Sequence, residues 1–272
     1  MRFKEECFKL NNGYSIPKIG LGTWLIPNEE VGNIVKMAIS LGYNHIDTAQ
    51  AYGNEEGIGK ALRELNISRD KIFITSKVKA EIKNYDEAKE SIELSLKKLN
   101  TNYIDLMLIH CPQPWSEYGK SSYRYEKENL EVWKALEEAY LGGKIKAIGV
   151  SNFNIQDLEN IIRNAKIKPM VNQCSCHPGN TPLELIDYCK KAGIVFEAYC
   201  PNAHGRAKDF PLVSDLAKKY DKSFAQICLR YCLSLDVVIL PKTMSFDHLK
   251  ENLELDFDLK EEDKKELMNY KI

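Results

Sequence analysis

Tyr43-Asn44-His45-Ile46-Asp47-Thr48-Ala49-Gln50-Ala51-Tyr52-Gly53-Asn54-Glu55-Glu56 is the stretch whose reading decides the fold. Leu41-Gly42 before it closes a helical pattern, Tyr43-Asn44-His45-Ile46 reads as a short strand, and Asn54-Glu55-Glu56 has the residue types of a helix cap with an acidic first turn. The stretch is a strand, a loop and the start of a helix, with Asp47 and Tyr52 at its mouth. Taken alone it also supports a plainer reading, a turn-forming Asp and a loop-packing Tyr. How often the unit recurs, and what stands at the other strand ends, decides between them.

The unit recurs eight times. Strand-like runs fall at Lys18–Leu21, Tyr43–Ile46, Lys71–Ser76, Tyr103–Ile109, Lys146–Val150, Pro169–Asn172, Ile194–Ala198 and Val237–Leu240, separated by helical periodicity. Helix starts are marked by Asn28, by Asn84 with Glu87, by Thr181-Pro182-Leu183-Glu184 and by Ser223 with Gln226. Helix ends are marked by Gly42, Gly142-Gly143 and Gly193. Eight strand-helix repeats predict parallel strands joined by right-handed crossovers and closed into a (β/α)8 TIM barrel. Cys7-Phe8-Lys9-Leu10 and Tyr14-Ser15-Ile16-Pro17 around Asn11-Asn12-Gly13 predict an N-terminal β-hairpin. The expected organisation is a single domain over 1–272, with the hairpin at 1–17, the barrel at 18–253 and a C-terminal tail at 254–272.

No Gly-x-Gly-x-x-Gly follows the first strand, which removes the sequence signal for an open dinucleotide-binding sheet. Gly57-Ile58-Gly59-Lys60 looks like the end of a P-loop, but Asn54 stands at the first glycine position and Ala61 where a Ser or Thr would hold Mg²⁺. Periodicity through Ile58, Ala61, Leu62 and Leu65 makes these glycines packing residues of a helix.

A chain of 272 residues suits one barrel of roughly 250 residues. Lys+Arg 38 against Asp+Glu 39, interspersed, gives a net charge of -1 and no basic face for nucleic acid. The charged start Met1-Arg2-Phe3-Lys4-Glu5-Glu6 is unlike a signal peptide, and no apolar run approaches the ~18 residues of a membrane span. A cytoplasmic protein with a small-molecule partner, monomeric or weakly dimeric, is expected. The eight scattered cysteines then read as reduced thiols.

In such a barrel the active site lies at the C-terminal ends of the strands. There the second run ends at Asp47 with Tyr52 beyond it, the third at Lys77 and the fourth at His110. Each has a dull explanation by itself, a solvated Lys or a structural His. Together they make a coherent acid. A Lys⁺ about 4 Å from a Tyr is worth roughly 4 kcal/mol at an effective dielectric near 20, about 3 pKa units. Lys77 would tune Tyr52, Asp47 would hold Lys77 charged, and His110 would polarise a substrate oxygen. The set suits reduction of a carbonyl, where an alkoxide develops and must be protonated.

Gly20-Leu21-Gly22-Thr23-Trp24, Asp47-Thr48-Ala49 with Tyr52-Gly53-Asn54-Glu55, Thr75-Ser76-Lys77, Leu108-Ile109-His110, Gly149-Val150-Ser151-Asn152-Phe153, Val171-Asn172-Gln173 and Ile239-Leu240-Pro241-Lys242 stand in one order along nearly the whole chain. In these motifs the sequence resembles the aldo-keto reductase family, and its short end after Asn252 is like the shorter bacterial-type members. The resemblance implies NADPH-dependent reduction of aldehydes or ketones by hydride transfer, with Asp47, Tyr52, Lys77 and His110 as catalytic tetrad and Tyr52 as general acid. It implies Ser151, Asn152 and Gln173 on the nicotinamide carboxamide and Tyr199 stacked on its ring. Lys242 and Thr243 would meet the adenosine phosphate and Glu251 and Asn252 the adenine, while Gly22, Thr23 and Trp24 border the cofactor and Trp24 the substrate pocket.

The sequence departs from the family pattern in several places. Cys200-Pro201-Asn202 stands for the usual Ser-Pro-Leu, Ser175 for a usual Glu, and Lys79 and Cys111 for pocket aromatics. The last two predict a preference for small polar or anionic carbonyl compounds. His248 stands where an Arg commonly meets the 2′-phosphate, so NADPH is expected to be favoured through Lys242 by a reduced margin, with NADH possible.

Three other readings compete: a non-catalytic regulatory protein that binds nicotinamide cofactor, an aldolase-like lyase with Lys77 as Schiff-base nucleophile, and a metal held by Cys174, Cys176 and His177. The carboxylate beside Lys77 opposes the second. Cys-x-Cys-His lacks zinc-knuckle spacing and opposes the third, so no metal is expected. The same cysteines, with Cys111 and Cys200, are expected near the pocket mouth and sensitive to oxidation.

Overall fold

In the computed structural model, which describes residues 6–272, the chain opens on an antiparallel hairpin of β1 (Cys7–Lys9) and β2 (Ser15–Pro17). Gly13, at φ +84°, supplies the left-handed residue that its turn needs. The reading of Met1–Glu5 and the first five residues of the expected 1–17 hairpin segment lie outside the described residues.

Eight parallel strands follow and pair in chain order. They are β3 (Leu21–Gly22), β4 (His45–Asp47), β5 (Phe73–Val78), β6 (Ile104–Ile109), β7 (Ile145–Ser151), β8 (Val171–Ser175), β9 (Val195–Tyr199) and β10 (Val238–Leu240). A bridge between Ile19 and Ile239, with Gly20 N donating to Ile239 O at 2.9 Å and Gly22 N to Pro241 O at 3.0 Å, brings first and last strands together. The result is the expected barrel, nearly closed. The first regular strand is shorter than the run Lys18–Leu21, because residues 18–20 contribute to closure only as single bonds.

Helices wrap the sheet: α1 (Asn28–Leu41), α2 (Glu55–Glu64), α3 (Tyr85–Leu99), α4 (Glu126–Leu141), α5 (Ile155–Asn164), α6 (Leu183–Ala192), α7 (Pro211–Tyr220), α8 (Phe224–Ser234), α9 (Phe246–Glu251) and α10 (Glu261–Asn269). Asn84 caps α3 and Ser223 with Gln226 forms a full capping box on α8. Asn154 with Asp157 makes another on α5. Gly42, Gly143 and Gly193 take the left-handed conformation at helix ends, whereas Gly142 stays right-handed. The segment after Asn252 is more than a tail. Buried Leu255, Leu259 and Leu267 seat it, and α10 packs on α7 and α8.

Three polar residues expected at caps serve the tertiary structure. Asn28 Oδ1 accepts from Gly57 N at 2.8 Å and ties α1 to α2. Thr181 exchanges a hydrogen bond with the Tyr231 hydroxyl at 2.8 Å, and Pro182 stands at the N-cap of α6. Asn54 sits at the N-cap of α2, yet its side chain accepts from Thr48 Oγ1 at 2.6 Å and donates to Thr23 O and Ile26 O at 3.0 and 2.9 Å. It clamps the loop after β3 to the loop after β4.

Gly57 is a packing residue, as the periodicity predicts: a Cβ there would lie 2.2 Å from Asn28 O and 2.7 Å from Val31 Cγ1. Gly57→Ala is expected to destabilise the fold by about 1–3 kcal/mol, since backbone blocks the added methyl. Urea denaturation checks it, and an unchanged midpoint would contradict the close α1–α2 approach.

Candidate active site

Side chains alternate along a strand, so residues two apart on parallel strands share the barrel interior. His45 and Asp47 on β4, Phe73, Thr75 and Lys77 on β5, Gln173 on β8 and Glu197 on β9 meet there. Lys77 is wholly buried, and its Nζ donates to Asp47 Oδ1, Asp47 Oδ2 and Thr48 O, each at 2.8 Å. Burial opposes the charge on Lys77, but the Asp47 carboxylate, by charge and hydrogen bond, outweighs it and holds the ammonium pKa above its usual value. Burial likewise pushes the Asp47 carboxyl up, against the pull of Lys77 and of Gln173, whose Nε2 donates to Asp47 Oδ2 at 2.8 Å.

Tyr52 sits on the single helical turn Gln50–Tyr52, ended by Gly53 at φ +71°. Gln50 bolts that turn to its surroundings: Nε2 donates to Ser91 O and Ser95 Oγ on α3, and Oε1 accepts from Lys79 N. The Lys77 ammonium lies 5.1 Å from the centre of the Tyr52 ring. Burial raises the phenol pKa, Lys77 lowers it and Asp47 raises it, with an upward net effect. This corrects the expected balance. Lys77 lowers the phenol pKa by its charge and by a side-chain hydrogen bond, but burial outweighs both, and Tyr52 stays protonated at neutral pH.

His110 follows β6, with its ring edge-on to Tyr52 at 5.6 Å and to Trp115 at 5.3 Å. Burial, and then Lys77, lower its pKa to about 3, so the imidazole is neutral. A neutral imidazole has one N–H to offer and adds no charge. The four side chains of the sequence reading therefore converge at the C-terminal mouth of the barrel.

A second polar layer lies below them. Gln173 Nε2 also donates to Glu197 Oε2 at 2.7 Å, and Glu197 Oε1, wholly buried without a hydrogen bond, is 3.8 Å from His45 Nε2. His45 hydrogen-bonds Thr75 Oγ1 at 2.9 Å, and burial drives its pKa down to about 3. Glu197 and His45 had no place in the sequence reading. The signal for Glu197 was its position two residues before Tyr199, a charged residue inside an apolar strand run.

Residues 18–270 match the model of the Aldo/keto reductase family. The chain belongs to that family. It is 42% identical over 261 residues to a glyoxal reductase of Bacillus subtilis, covering 95% of this chain and 90% of that one. It superposes with a TM-score of 0.89 and 37% identity on an aldo/keto reductase from Brucella melitensis, covering 97% of this chain and 98% of the other. The Bombyx mori aldo-keto reductase in complex with NADP gives a TM-score of 0.85 at 33% identity, over 97% and 92% of the two chains. The protein is thus an oxidoreductase, a nicotinamide-dependent carbonyl reductase.

Of the positions that the family resemblance assigns to the cofactor, Gly22, Thr23, Ser151, Asn152, Gln173 and Tyr199 are connected to Asp47 or His110. Gly22 ends β3 beside Asp47, and Thr23 Oγ1 donates to Asp47 O at 2.8 Å, pinning its backbone. Ser151 Oγ donates to Gln173 O, and Asn152, at φ +63°, donates to His110 O and accepts from the Tyr199 hydroxyl at 2.7 Å. Both amide protons of Gln173 go to carboxylates, which fixes its orientation, since a flip would face its carbonyl to two acids. Its Oε1 is left as an acceptor. That suits the N–H₂ of a carboxamide, and Tyr199, fixed at its hydroxyl, has a ring suited to a flat partner, so these residues fit a nicotinamide.

Further out, Lys242 is exposed with no ion pair among the described residues, and Thr243 Oγ1 accepts from Ser245 N. His248 is exposed on α9, where its N–H is capped by Ser245, while Glu251 is half-buried and Asn252 buried. On the substrate side Trp24 is 44% exposed and edge-on to His204 at 5.4 Å. Lys79 is exposed and Cys111 fully buried; Trp115 packs against His110 and Tyr118 against Trp115, neither of which was anticipated.

The ammonium of Lys77 is held charged, the opposite of what a Schiff-base nucleophile needs. Cys174, Cys176 and His177 form no group of three metal-binding side chains among the described residues; His177 Nδ1 bonds Pro178 O. Cys111, Cys174 and Cys176 are buried, and burial pushes the Cys111 thiol up to about 12 and that of Cys174 further. Of the four cysteines expected at the mouth, only the half-buried Cys200, 3.5 Å from His204 Nδ1, is open to oxidants.

Lys77→Met would leave Asp47 as an uncompensated buried carboxylate. It is expected to cost about 3–5 kcal/mol of stability near pH 7. Without its cation the carboxyl is protonated more readily in the folded than in the unfolded chain, so the loss should shrink as pH falls toward the ordinary carboxylate range. Urea denaturation at two pH values checks this; an equal loss at pH 5 and pH 8 would contradict it.

Proposed function

We propose that this reductase transfers hydride from NADPH to the carbonyl carbon of small aldehydes or ketones, with Tyr52 donating the proton to the developing alkoxide. The observation that carries the reading is the Lys77 ammonium, bound to both Asp47 oxygens and facing the Tyr52 ring beside the neutral His110. When bound, NADPH supplies the hydride.

The protein's part is binding, orientation and proton transfer. Gln173, Asn152 and Ser151 would fix the carboxamide and Tyr199 would cover the ring. His110 would donate its N–H to the substrate oxygen and polarise the carbonyl without introducing a charge. As negative charge grows on that oxygen, Lys77 becomes a stabilising field and Tyr52 the nearest acid. A raised phenol pKa does not obstruct this step, because an alkoxide is a far stronger base than a phenolate. It keeps the donor loaded at neutral pH.

Trp24, Trp115, Tyr118 and Lys79 would bound the substrate. Aromatic rings close over the space next to His110, which favours compact carbonyl compounds, including dicarbonyls of the kind named for the Bacillus subtilis relative. Lys79, exposed at the end of β5, offers a cation to anionic ones. NADPH consumption with a panel running from glyoxal to bulky aromatic aldehydes tests the reading; the absence of turnover with every member would leave the non-catalytic, cofactor-binding alternative.

Tyr52→Phe is expected to lower carbonyl reduction by about 10²–10⁴-fold while NADPH affinity changes by less than about threefold. Retention of most of the turnover in single-turnover measurements would refute Tyr52 as the acid.

For the cofactor, Lys242 would meet the 2′-phosphate and His248 would replace an always-charged Arg by a titratable group. NADPH should be preferred over NADH. His248→Arg should raise NADPH affinity roughly tenfold, by adding a fixed charge and a bidentate fork for the phosphate. Dissociation constants for both cofactors check it, and unchanged NADPH affinity in the variant would sink the proposal.

A further inference from the structure

Glu197 has no part in the mechanism above, and its surroundings are unusual for a carboxyl. It projects from β9 into the barrel, faced by Asp47 and His45 from β4, Lys77 from β5 and Gln173 from β8, while its neighbour Val238 in β10 is apolar. The cluster holds one cation, Lys77, and that cation is already bound to Asp47. An ionised Glu197 would give this dry interior a second anion and a net negative charge. Among the described residues the one hydrogen bond it accepts, from Gln173, does not offset that, and Oε1 has none.

Gln173 joins Glu197 to the cofactor site. Its amide nitrogen binds both carboxyl groups, and its Oε1 is the atom that the nicotinamide reading gives to the carboxamide. The nicotinamide ring gains one positive charge on oxidation, and Glu197 is one hydrogen-bonded residue away from it. We propose that Glu197 is a positioning residue that senses the redox state of the cofactor: neutral beneath NADPH, ionised beneath NADP⁺, with its proton released to solvent when NADP⁺ binds. The inference rests on the nicotinamide-binding reading of the site.

The direction follows from linkage. Whatever favours the ionised carboxyl favours the cofactor form that stabilises it, so NADP⁺ should bind more tightly as pH rises and NADPH should not. Burial, followed by Asp47, pushes Glu197 up to about 8, inside the physiological window. Asp47, which burial also raises, shares its field with Glu197, and the Glu197→Gln variant separates the two. His45 and His110 are held down near 3, and Tyr52 and Lys77 above their usual values. Lys83, which burial lowers to about 8, is the other buried group in that range; its Nζ is bound to Cys111 O and Asn129 Oδ1, outside the cluster. Both cofactor forms carry the same 2′-phosphate, so contributions from that end of the site cancel in the ratio of their affinities.

The test is direct binding of NADPH, followed by its fluorescence, and of NADP⁺ by competition, for wild type and Glu197→Gln between about pH 6.5 and 9. The affinity of NADP⁺ relative to NADPH is expected to rise roughly tenfold across that range in wild type, for one buried charge acting at several ångströms, and to stay within about twofold in the variant. A flat ratio in wild type overturns the proposal, as does a slope that survives in Glu197→Gln, which would assign it to Lys83 or another group. Failure of both cofactors to bind wild type would defeat the nicotinamide reading itself, a distinguishable result. Difference infrared spectra give a second readout free of turnover: the protonated-carboxyl band missing from Glu197→Gln should be present with NADPH and lost with NADP⁺ near pH 7.5. A band unchanged between the two complexes overturns the proposal.

Discussion

The ion pair between Lys77 and Asp47 is the constraint on which the rest of the site depends. Removing both charges from water costs several kcal/mol each, and attraction offsets that only when geometry is good and the remaining hydrogen-bonding capacity is filled. The reductase meets both conditions. Asp47 ends β4 and Lys77 stands two residues past its strand neighbour Thr75, so the long side chain reaches back to both carboxylate oxygens and to Thr48 O. Gln173 and Thr23 then fix Asp47 from the other side, one at the side chain and one at the main chain.

A single buried cation also dictates the charge state of its neighbours. His45 and His110 are both pressed toward neutrality by burial, with Lys77 adding to the effect. Glu197 is pressed toward neutrality as well, by burial and then by the charge of Asp47, against the pull of Gln173 and Lys77. The interior therefore holds one ion pair within a shell of neutral polar groups. Such a shell suits reduction of a carbonyl: little has to reorganise when charge appears on the substrate oxygen, and Tyr52 meets it with its proton in place.

Much of this was legible in the sequence because strand periodicity is strict. Given parallel strands, the residues ending Ile46-Asp47, Ser76-Lys77 and Ile109-His110 must share one rim, and the structure places them there. The eight-fold repeat could be read the same way, from apolar runs and from caps such as Asn84 and Ser223. Asn28, Asn54 and Thr181 were harder. Each has the residue type of a cap and stands at a helix start, but its side chain is engaged by another segment, and no local pattern distinguishes the two uses. The balance of forces on Tyr52 was also beyond the sequence. Spacing indicates that a Lys comes near, but not how strongly burial of the phenol opposes it.

The strand-borne and loop-borne parts of the site differ in the same way. Asp47 and Lys77 lie on β4 and β5, Gln173 and Glu197 on β8 and β9, and their separations are set by the sheet register, which leaves little room for change. The pocket wall is made by loops, and there the sequence departs from the family pattern. Where an aromatic would follow His110 the chain has Cys111, buried, and the ring against His110 is Trp115, four positions further on. That loop is held from below by Lys83, bound to Cys111 O and Asn129 Oδ1, by Asn129 Nδ2 on Pro112 O, and by Gln113 Nε2 on Ser121 O and Tyr123 O. Polar braces of this kind let a loop present a different ring without disturbing the strand beneath it. The same chemistry can then be directed at a different carbonyl by exchanging loop residues alone, because nothing in the Lys77–Asp47 pair depends on which aromatic closes the mouth.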